Sequence, residues 1–319
     1  MISLPGGTIL GPYETREEWL EARKLGIGGS DIGALLGLSQ FKSPLQVFYE
    51  KTEGATQEVN EAMEIGAAIE PWIRQQWIAS GAGVRVHDMV YSDLVTIQSQ
   101  TIPFLLHSPD ALLFDNTVTS APEPIAGIEI KNIRSDAHWD PLPEFYMAQV
   151  QHGLLCSGLD RWIVVALVAG QKLITREIEP DKEIQGRIAL EAEKFWTSHV
   201  LANVPPEPDG SETDSDVLNR RWGASQDEIA LLPDYCLQDL KTARRQLDAS
   251  EKKMRKVEQT IKFRMGSKEH AVTESGEKLA TWKVGTRTGV DVKRLREVSP
   301  EVAKKFEKTS PTRIFRPSL

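Results

Sequence analysis

The spacing of apolar residues predicts helices in the first eighty residues of the chain. Three segments carry apolar residues at the three- and four-residue intervals of an amphipathic helix. They are residues 17–26, residues 61–80 and the stretch that begins at Ser43-Pro44. Serine is a favoured N-cap residue and proline suits the first helical position, so this pair marks a helix start. Pro71 predicts a break or kink inside residues 61–80, because proline removes a backbone hydrogen bond.

From Val84 onward the pattern changes to alternation, which is typical of half-buried strands. Further strands are predicted over residues 101–106, 110–114, 126–131, 162–169 and 172–178, and helices over residues 142–157 and 181–199. Helices followed by a cluster of strands, and then by alternating helix and strand, indicate an α/β fold with a mixed central sheet flanked by helices.

A polar, proline-rich segment at residues 205–216 is typical of a linker. It separates a predicted core, residues 1–204, from a C-terminal extension, residues 217–319, which could pack on that core. The extension is predicted to contain a basic helix over residues 237–265, short strands and a short helix over residues 292–298. A seven-residue repeat in this helix indicates that it packs against another helix. The repeat consists of Leu240, Leu247, Met254 and Ile261.

Composition points to an ordinary globular protein, with 40% hydrophobic and 26% charged residues in 319. No apolar run reaches the roughly 18 to 20 residues of a membrane helix, and the N-terminus does not resemble a secretory signal. Cys156 and Cys236 are isolated, which disfavours both a zinc site and a disulfide framework. We therefore expect a cytoplasmic protein that does not bind membranes.

Charge is distributed unevenly along the chain. The net charge is −8, but residues 241–319 contain 21 Lys and Arg against 10 Asp and Glu, a balance of +11. That leaves −19 for residues 1–240. A basic end on an acidic body indicates interaction with a polyanion, while a solvated basic helix is an equally good explanation of the charge alone.

Two acidic residues and a lysine on neighbouring predicted strands are the main candidates for chemistry. Glu129 and Lys131 are two positions apart, so they share one face of a strand while Ile130 points to the other. Asp110 on the adjacent strand can bring a second carboxylate to the same place. Carboxylate oxygens suit Mg²⁺, and a lysine beside them can orient or deprotonate a water. A solvated strand face that carries Glu and Lys is the alternative, and spacing alone favours it.

Six segments, in order, resemble the lambda-type phage exonuclease family, also called YqaJ-type viral recombinases, which belongs to the PD-(D/E)xK nucleases. They are RKLGIGGSDIGALLG at 23–37, SPLQVFYEKTEG at 43–54, GAAIEPWIRQQ at 66–76, HSPDALL at 107–113, GIEIKN at 127–132 and YMAQVQHGLLCSG at 146–158. The resemblance extends over residues 15–200 and implies a restriction-endonuclease-like fold with residues 1–204 as the nuclease core. Several motifs in order are more specific than the Glu-x-Lys pattern by itself.

The resemblance implies catalytic roles for matched positions. Asp110 and Glu129 correspond to the metal carboxylates, with the backbone carbonyl of Ile130 as a weaker ligand. Lys131 corresponds to the catalytic lysine, and Glu70 to an additional acidic residue near the metal.

A glutamine of the QVQ motif is expected to complete the catalytic group. Gln149 and Gln151 both match the motif. Residues two apart on a helix point to different sides, so we expect only one of them to face the site. Gln151 is the choice made from the sequence, in a role that holds the water or the lysine.

Arg23 and Ser30 correspond to the family's pocket for a 5′-phosphate. Ser30 follows the glycine-rich loop at residues 26–29, and Ser30 or Asp31 is expected to cap the helix that starts there. Free backbone amides at a helix start attract anions, and the guanidinium of Arg23 can bind a phosphate with two hydrogen bonds. Lys42 is expected to add a third positive contact. An ordinary helix cap is the alternative explanation of the GIGGSD segment.

The resemblance implies a hydrolase, an alkaline-type 5′→3′ exodeoxyribonuclease for linear double-stranded DNA. It would release mononucleotides and leave 3′ single strands for recombination, with Mg²⁺ as cofactor and Mn²⁺ able to substitute. The implied partners are DNA ends, a single-strand annealing protein and two further copies of the chain in a homotrimer, in the cytoplasm of a bacterial host cell. The alternatives are another PD-(D/E)xK endonuclease or helicase-associated nuclease, and a catalytically idle adaptor that binds DNA ends.

Overall fold

The structure is a computed structural model that describes residues 4–54, 61–81, 88–91, 94–115, 123–224, 227–286, 288–307 and 315–317. The chain divides into two compact units, Met1–Arg221 and Trp222–Leu319. In the part of the chain that is described, no helix is both long enough and apolar enough to cross a membrane.

The boundary between the units lies later than the linker predicted at residues 205–216. The helix Glu212–Arg221 belongs to the first unit. Its last residue pairs with Glu53, since Nη2 of Arg221 donates to Oε1 at 2.8 Å. The guanidinium also lies 4.1 Å from the ring centre of Tyr49. Polar composition alone did not indicate these contacts, which attach the helix to the first unit.

The helices of the first unit are α1 (Arg16–Arg23), α2 (Gly29–Leu35), α3 (Pro44–Thr52), α4 (Glu61–Ser80), α5 (Glu144–Ser157), α6 (Lys182–Phe195), which continues into a π-helical segment (Trp196–Leu201), and α7 (Glu212–Arg221). Its strands are β1 (Gly7–Leu10), β2 (Ile27–Gly28), β3 (Asp88–Tyr91), β4 (Thr96–Ser99), β5 (Leu105–His107), β6 (Ala111–Asp115), β7 (Pro124–Ile133), β8 (Trp162–Val168) and β9 (Lys172–Ile178). The second unit contains α8 (Asp234–Met265), β10 (His270–Val272), β11 (Lys278–Thr281), α9 (Val292–Val298) and α10 (Pro300–Lys305).

A mixed five-stranded sheet forms the centre of the first unit, in the order β3-β6-β7-β8-β9. β7 and β8 are parallel, and the other neighbouring pairs are antiparallel. β8 is buried along its whole length, as expected for a strand that is covered on both faces. The predicted α/β fold with a mixed central sheet flanked by helices is confirmed.

Helices α4 and α5 lie against the two faces of this sheet. Trp77 of α4 belongs to one apolar cluster with Ile128 and Ile130 of β7. Because side chains alternate along a strand, Glu129 and Lys131 point to the opposite face, where hydrogen bonds join them to α5. The sheet therefore separates the apolar side of β7 from its charged side, as the sequence predicted.

A second sheet, in the order β1-β4-β5-β2, was not predicted. β2 contains only Ile27 and Gly28 and pairs in parallel with β5, and a two-residue strand has no periodicity to recognise. The strand predicted over residues 101–106 begins later, at Leu105. A Cβ on Gly29 would lie 2.6 Å from Nδ1 of His107, so the approach of the glycine-rich loop to β5 requires glycine there.

Helix α2 begins earlier than the sequence indicated. Gly28 is its N-cap residue and Gly29 its first residue, so the prediction of Ser30 or Asp31 as the cap is wrong. The carboxylate of Asp31 accepts a hydrogen bond from the amide of Gly28 at 2.9 Å. Asp31 thus satisfies the start of the helix from inside its first turn.

The two prolines in predicted helices have different outcomes. Pro44 is the first residue of α3, and the hydroxyl of Ser43 accepts a hydrogen bond from the amide of Gln46, which confirms this helix start. Pro71 lies inside α4, which continues on both sides of it. The predicted break is therefore absent, and Trp77 in the part of α4 after Pro71 packs in the core.

The second unit contains the long helix that the sequence predicted. α8 extends over Asp234–Met265, three residues more at its start than predicted. β10 and β11 form an antiparallel pair, and α9 matches the short helix predicted over residues 292–298. Of the alternating segment that begins at Val84, β3 covers Asp88–Tyr91, and the residues before it lie outside the described part of the chain.

Candidate active site

Strands β6 and β7 bring Asp110 beside Glu129. Asp110 directly precedes β6, and its amide donates to the carbonyl of Ile128 at 3.1 Å. Its carboxylate accepts a hydrogen bond from the amide of Ile130 at 2.6 Å. The N–H and C=O of one strand residue point to the same edge, so the carbonyl of Ile130 is directed toward the same edge as the Asp110 carboxylate.

Glu129 is buried, with 3% of its surface exposed. Its Oε1 accepts hydrogen bonds from Nζ of Lys131 at 2.5 Å and from Nε2 of Gln149 at 2.6 Å. Its Oε2 is also buried and has no hydrogen-bond partner among the described residues. Burying a carboxylate oxygen without a partner costs free energy, so this atom suits contact with a cation.

Three carboxylates influence one another at this site. Burial raises the pKa of Asp110 well above its usual range, and the charges of Glu129 and Glu70 raise it further. Burial also raises the pKa of Glu70, an effect that Arg74 opposes and Glu129 reinforces. Arg74 lies 3.5 Å from Oε1 of Glu70 and donates to the backbone carbonyl of Asp110 at 3.4 Å. The structure therefore brings Glu70 into the electrostatic surroundings of the strand carboxylates.

Lys131 is held as a charged hydrogen-bond donor. Burial favours a lower pKa for its amine, but the charges of Glu129 and Asp110 and the hydrogen bond to Glu129 outweigh burial, and the pKa of Lys131 is raised. The ammonium also lies 5.1 Å from the ring centre of Tyr146 on α5. In this state Nζ can donate to a water or to a phosphate oxygen.

Gln149, and not Gln151, faces the acidic residues. Gln149 donates to Glu129 and accepts a hydrogen bond from Nζ of Lys131 at 3.3 Å. The choice of Gln151 from the sequence is wrong, because its side chain points toward the loop between β9 and α6. Its amide nitrogen donates to the carbonyl of Glu179 at 2.7 Å, and its oxygen accepts from the amide of Asp181 at 2.8 Å.

The predicted phosphate pocket adjoins the acidic residues. Nη2 of Arg23 donates to the hydroxyl of Ser30 at 2.6 Å, and the guanidinium lies 4.6 Å from the ring centre of Trp19. The indole nitrogen of Trp19 donates to the hydroxyl of Ser108 at 3.0 Å. These four side chains line a cavity of about 140 Å³ that Asp110, Glu129 and Gln149 also line. The structure thus places Arg23 and Ser30 in one cavity with the strand carboxylates.

Lys42 is not placed as the expected third positive contact to a phosphate, because its ammonium is paired with carboxylates. Its ammonium lies 2.6 Å from Asp31 and 2.5 Å from Glu50, with 15% of its side chain exposed. Asp31 also pairs with Lys51 at 2.7 Å. Lys42 lines a neighbouring cavity of about 480 Å³ that Arg23 and Ser30 also line. Because two carboxylates already balance its charge, Lys42 supports the wall of the pocket and is a poor candidate for an anion contact.

The sequence indicated Asp31 only as a possible helix cap and did not predict its ion pairs with Lys42 and Lys51. Asp31 is fully buried, and although burial opposes ionisation, Lys42, Lys51 and Arg23 lower the pKa of Asp31 well below its usual range. The sequence offered one signal, two lysines on or near the following helix, but it could not show that they converge on this carboxylate. Asp31 therefore fixes lysines around the cavity as well as the start of α2.

The oxygen atoms at the site fit a divalent cation. Among the described residues, no three His, Cys, Asp or Glu side chains lie close enough to hold an ion between them. Mg²⁺ is commonly held by one or two carboxylates, while waters and substrate phosphate supply the other ligands. Asp110, Glu129 and the carbonyl of Ile130 match that small set, and the unpartnered Oε2 of Glu129 is the atom that most needs a cation.

Solved structures of exonucleases resemble the chain. An alkaline exonuclease (LHK-Exo) from Laribacter hongkongensis is 21% identical, covers 65% of this chain and 98% of its own, and gives a TM-score of 0.44. The same enzyme in complex with dAMP gives equal values. A phage related exonuclease from Haemophilus somnus 129PT is 13% identical, covers 56% and 96% of the two chains, and gives a TM-score of 0.41.

Sequence comparison finds a similar protein and a similar family model. The chain is 26% identical over 317 residues to the YqaJ protein of Bacillus subtilis (strain 168), covering 94% of this chain and 93% of that protein. Residues 18–160 match the model of the YqaJ-like viral recombinase domain. This segment includes Arg23, Glu70, Asp110, Glu129 and Lys131. The family of this model is the one that the sequence motifs at residues 23–158 resemble.

Proposed function

We propose that the protein is a divalent-metal-dependent exonuclease that degrades linear double-stranded DNA from 5′ ends. It would release mononucleotides and leave 3′ single strands that recombination by annealing can use. The observation that carries this proposal is the hydrogen-bonded group of Asp110, Glu129 and Lys131, in which the buried Oε2 of Glu129 has no hydrogen-bond partner among the described residues. Carboxylates and a lysine in this arrangement suit hydrolysis of a phosphodiester.

Asp110 and Glu129, with the carbonyl of Ile130, would hold Mg²⁺, and Mn²⁺ would substitute. A bound divalent cation would supply neutralisation of the charge that develops on the scissile phosphate. Lys131 would donate a hydrogen bond from Nζ to the attacking water or to a phosphate oxygen, while Gln149 fixes the positions of Nζ and Oε1 of Glu129. Glu70 would shape the charge of the site from α4.

The cavity with Arg23 and Ser30 would bind the terminal 5′-phosphate. Arg23 offers a charged donor whose direction is set by Ser30 and by the ring of Trp19. A charged hydrogen bond to phosphate is stronger than one between neutral groups. Because this cavity also borders Asp110 and Glu129, a phosphate held there would set the distance from the DNA end to the bond that is cut.

The assembly and the partners belong to the same proposal. By the family resemblance we propose a homotrimer around DNA, working with a single-strand annealing protein in the cytoplasm of a bacterial host. An acidic body can still act on DNA where basic residues face the duplex, because phosphate contacts release counterions.

The decisive experiment compares three DNA substrates with wild-type protein and two lysine variants. Linear duplex with a 5′-phosphate, linear duplex without it, and closed circular duplex are each incubated with Mg²⁺ or with EDTA. We expect Mg²⁺-dependent release of mononucleotides from linear DNA, fastest with the 5′-phosphate, and intact circles. Lys131→Met is expected to remove hydrolysis and retain DNA binding. Lys172→Met is the matched control, because Lys172 is an exposed lysine on β9, the edge strand of the same sheet.

Different outcomes contradict different parts of this proposal. Rapid cutting of closed circles would indicate an endonuclease. Full activity of Lys131→Met would refute the assignment of the site. Equal rates on linear DNA with and without the 5′-phosphate would refute the role of Arg23 and Ser30 while leaving the nuclease itself intact.

A further inference from the structure

An uncharged seam extends along helix α8. In the heptad repeat that begins at Leu240, no charged residue occupies an a or d position between residues 236 and 261. These positions are Cys236, Leu240, Ala243, Leu247, Ser250, Met254, Val257 and Ile261. Alternating intervals of four and three residues keep them on one face, which is the spacing of a coiled coil.

Most of the seam is open to solvent, while Cys236, Leu240 and Ile261 are half-buried. Leu247 is 49% exposed, Met254 is 61% exposed and Val257 is 49% exposed. Most basic residues of α8 lie instead at the b, c and f positions of the same repeat, as Lys252 and Lys256 do. A row of exposed apolar side chains with charges confined to the other faces indicates a surface that another helix covers.

Charges beside the seam match a second copy of the same helix. In a parallel coiled coil, each g residue faces the e residue of the next heptad of the partner. Asp239 would face Arg244, and Lys253 would face Glu258. Both pairs are attractive, and the remaining pairs, Gln246 with Glu251 and Thr260 with Met265, bring no like charges together. An antiparallel pair joins e to e and g to g, and would lose both attractive pairs.

We propose that α8 forms a parallel, in-register coiled coil with α8 of the other copies of this chain. The seam spans more than three heptads, which is enough for a coiled coil. Ala243 and Ser250 bury less apolar surface than leucine would at the same positions, so association depends on protein concentration. The proposal does not depend on the nuclease activity, and it places a contact between copies in the second unit.

Cys236 provides a direct test of orientation. It is at a d position near the start of α8, so in a parallel, in-register pair the two Cys236 thiols face each other. In an antiparallel pair each Cys236 would lie beside Ile261 of the partner. The two thiols would then be about 37 Å apart, because an α-helix rises about 1.5 Å per residue. A short bismaleimide reagent is expected to join full-length chains covalently through Cys236. Cys156 does not compete, because it is buried and burial raises the pKa of its thiol.

Two aspartate variants test the seam. Leu247→Asp would bury a carboxylate in the interface, and is expected to weaken self-association by about tenfold or more and to abolish the crosslink. Ala249→Asp adds the same charge at an exposed c position and is expected to retain both. Cys236→Ser is expected to lose the crosslink and to retain the association measured by sedimentation.

A charge exchange tests the partner. Lys253→Glu would place glutamate opposite Glu258 of the second copy and is expected to reduce crosslinking. Lys253→Glu combined with Glu258→Lys is expected to restore it, because the attractive pair is re-formed with reversed signs. A full-length protein that stays monomeric at high concentration would overturn the proposal, as would association without any crosslink through Cys236.

Discussion

Gln149 and Gln151 lie two positions apart on α5 and contact different parts of the molecule. Gln149 joins the carboxylate of Glu129 to the ammonium of Lys131. Gln151 instead forms hydrogen bonds with the backbone of the loop before α6 and also accepts a hydrogen bond from Gln185 at 3.3 Å. The first arrangement positions charged groups at the site, whereas the second holds two elements together.

This difference predicts that two matched substitutions separate activity from stability. Gln149→Leu is expected to lower turnover by about 10- to 100-fold, the usual cost of losing a group that orients catalytic residues, with little change in the free energy of unfolding. Gln151→Leu is expected to lower the free energy of unfolding by about 1 to 3 kcal/mol, because it leaves buried partners unsatisfied, with normal turnover of the folded protein. Steady-state kinetics and urea denaturation measure both. The reverse assignment of effects would contradict the observed hydrogen bonds.

The buried pair His107 and His152 predicts sensitivity to acid. Their Nδ1 atoms are 3.3 Å apart, and burial lowers the pKa of His152 from 6.5 to about 4. Between pH 6.5 and pH 4 the unfolded chain therefore binds a proton at His152 that the folded chain does not bind. The contribution of neutral His152 to the free energy of unfolding is complete above pH 6.5 and is lost as the pH falls toward 4. By linkage the loss is about 3 kcal/mol.

Replacing His152 is therefore expected to flatten the pH dependence of stability. His152→Gln should reduce the difference in unfolding free energy between pH 7 and pH 4 by about 3 kcal/mol. His138→Gln is the control, because it removes an exposed histidine outside the buried pair. Denaturant titrations at both pH values give the comparison, and an unchanged difference in the His152 variant would rule out this source of acid sensitivity.

At the residue level, the sequence predicted the site where the chain itself dictates geometry. Glu129 and Lys131 share a face because strand side chains alternate, and that interpretation required no partner. The choice between Gln149 and Gln151 depended on the direction in which α5 packs, which its apolar pattern does not specify. Asp31 was missed for a similar reason, since its lysine partners come from outside α2.

At the level of elements, the longer helices and strands with a regular apolar pattern were predicted, whereas short strands and close contacts between elements were not. β9 and α9 match their predicted limits, whereas β2 is stabilised by pairing with β5 and not by its own two residues. The strand and the start of α2 together bring the glycine-rich loop against β5. That contact depends on the missing side chain of Gly29.

A pair of glycine substitutions tests this contact. Gly29→Ala is expected to lower the free energy of unfolding by about 1 to 3 kcal/mol, the cost of overpacking a rigid site, because the new Cβ would meet the ring of His107 at 2.6 Å. Gly186→Ala in α6 is the matched control. No described atom lies within 4 Å of its added Cβ, so it is expected to stabilise the helix by about 0.5 to 1 kcal/mol. Equal effects at both positions, measured by thermal unfolding, would mean that α2 tolerates a wider separation from β5.

At the level of the whole molecule, the proposed catalytic residues and most of the positive charge lie in different parts of the chain. The strand carboxylates lie in the acidic part, whereas residues 241–319 carry a balance of +11. Phosphate contacts by lysine and arginine make DNA binding weaken steeply with salt. The b, c and f positions of α8 supply such residues without occupying the apolar seam.

Neutralising one basic face of α8 is therefore expected to weaken DNA binding without altering self-association. The variant replaces Arg245, Lys252, Arg255 and Lys256 with Gln. If each contacts a phosphate, the slope of log affinity against log salt should fall by up to about 0.9 per residue, as fluorescence anisotropy with duplex DNA would measure. Crosslinking through Cys236 should persist, because none of the four residues lies at an a, d, e or g position. An unchanged salt slope would assign DNA binding to other basic residues, and loss of the crosslink would show that these charges act in the contact between copies.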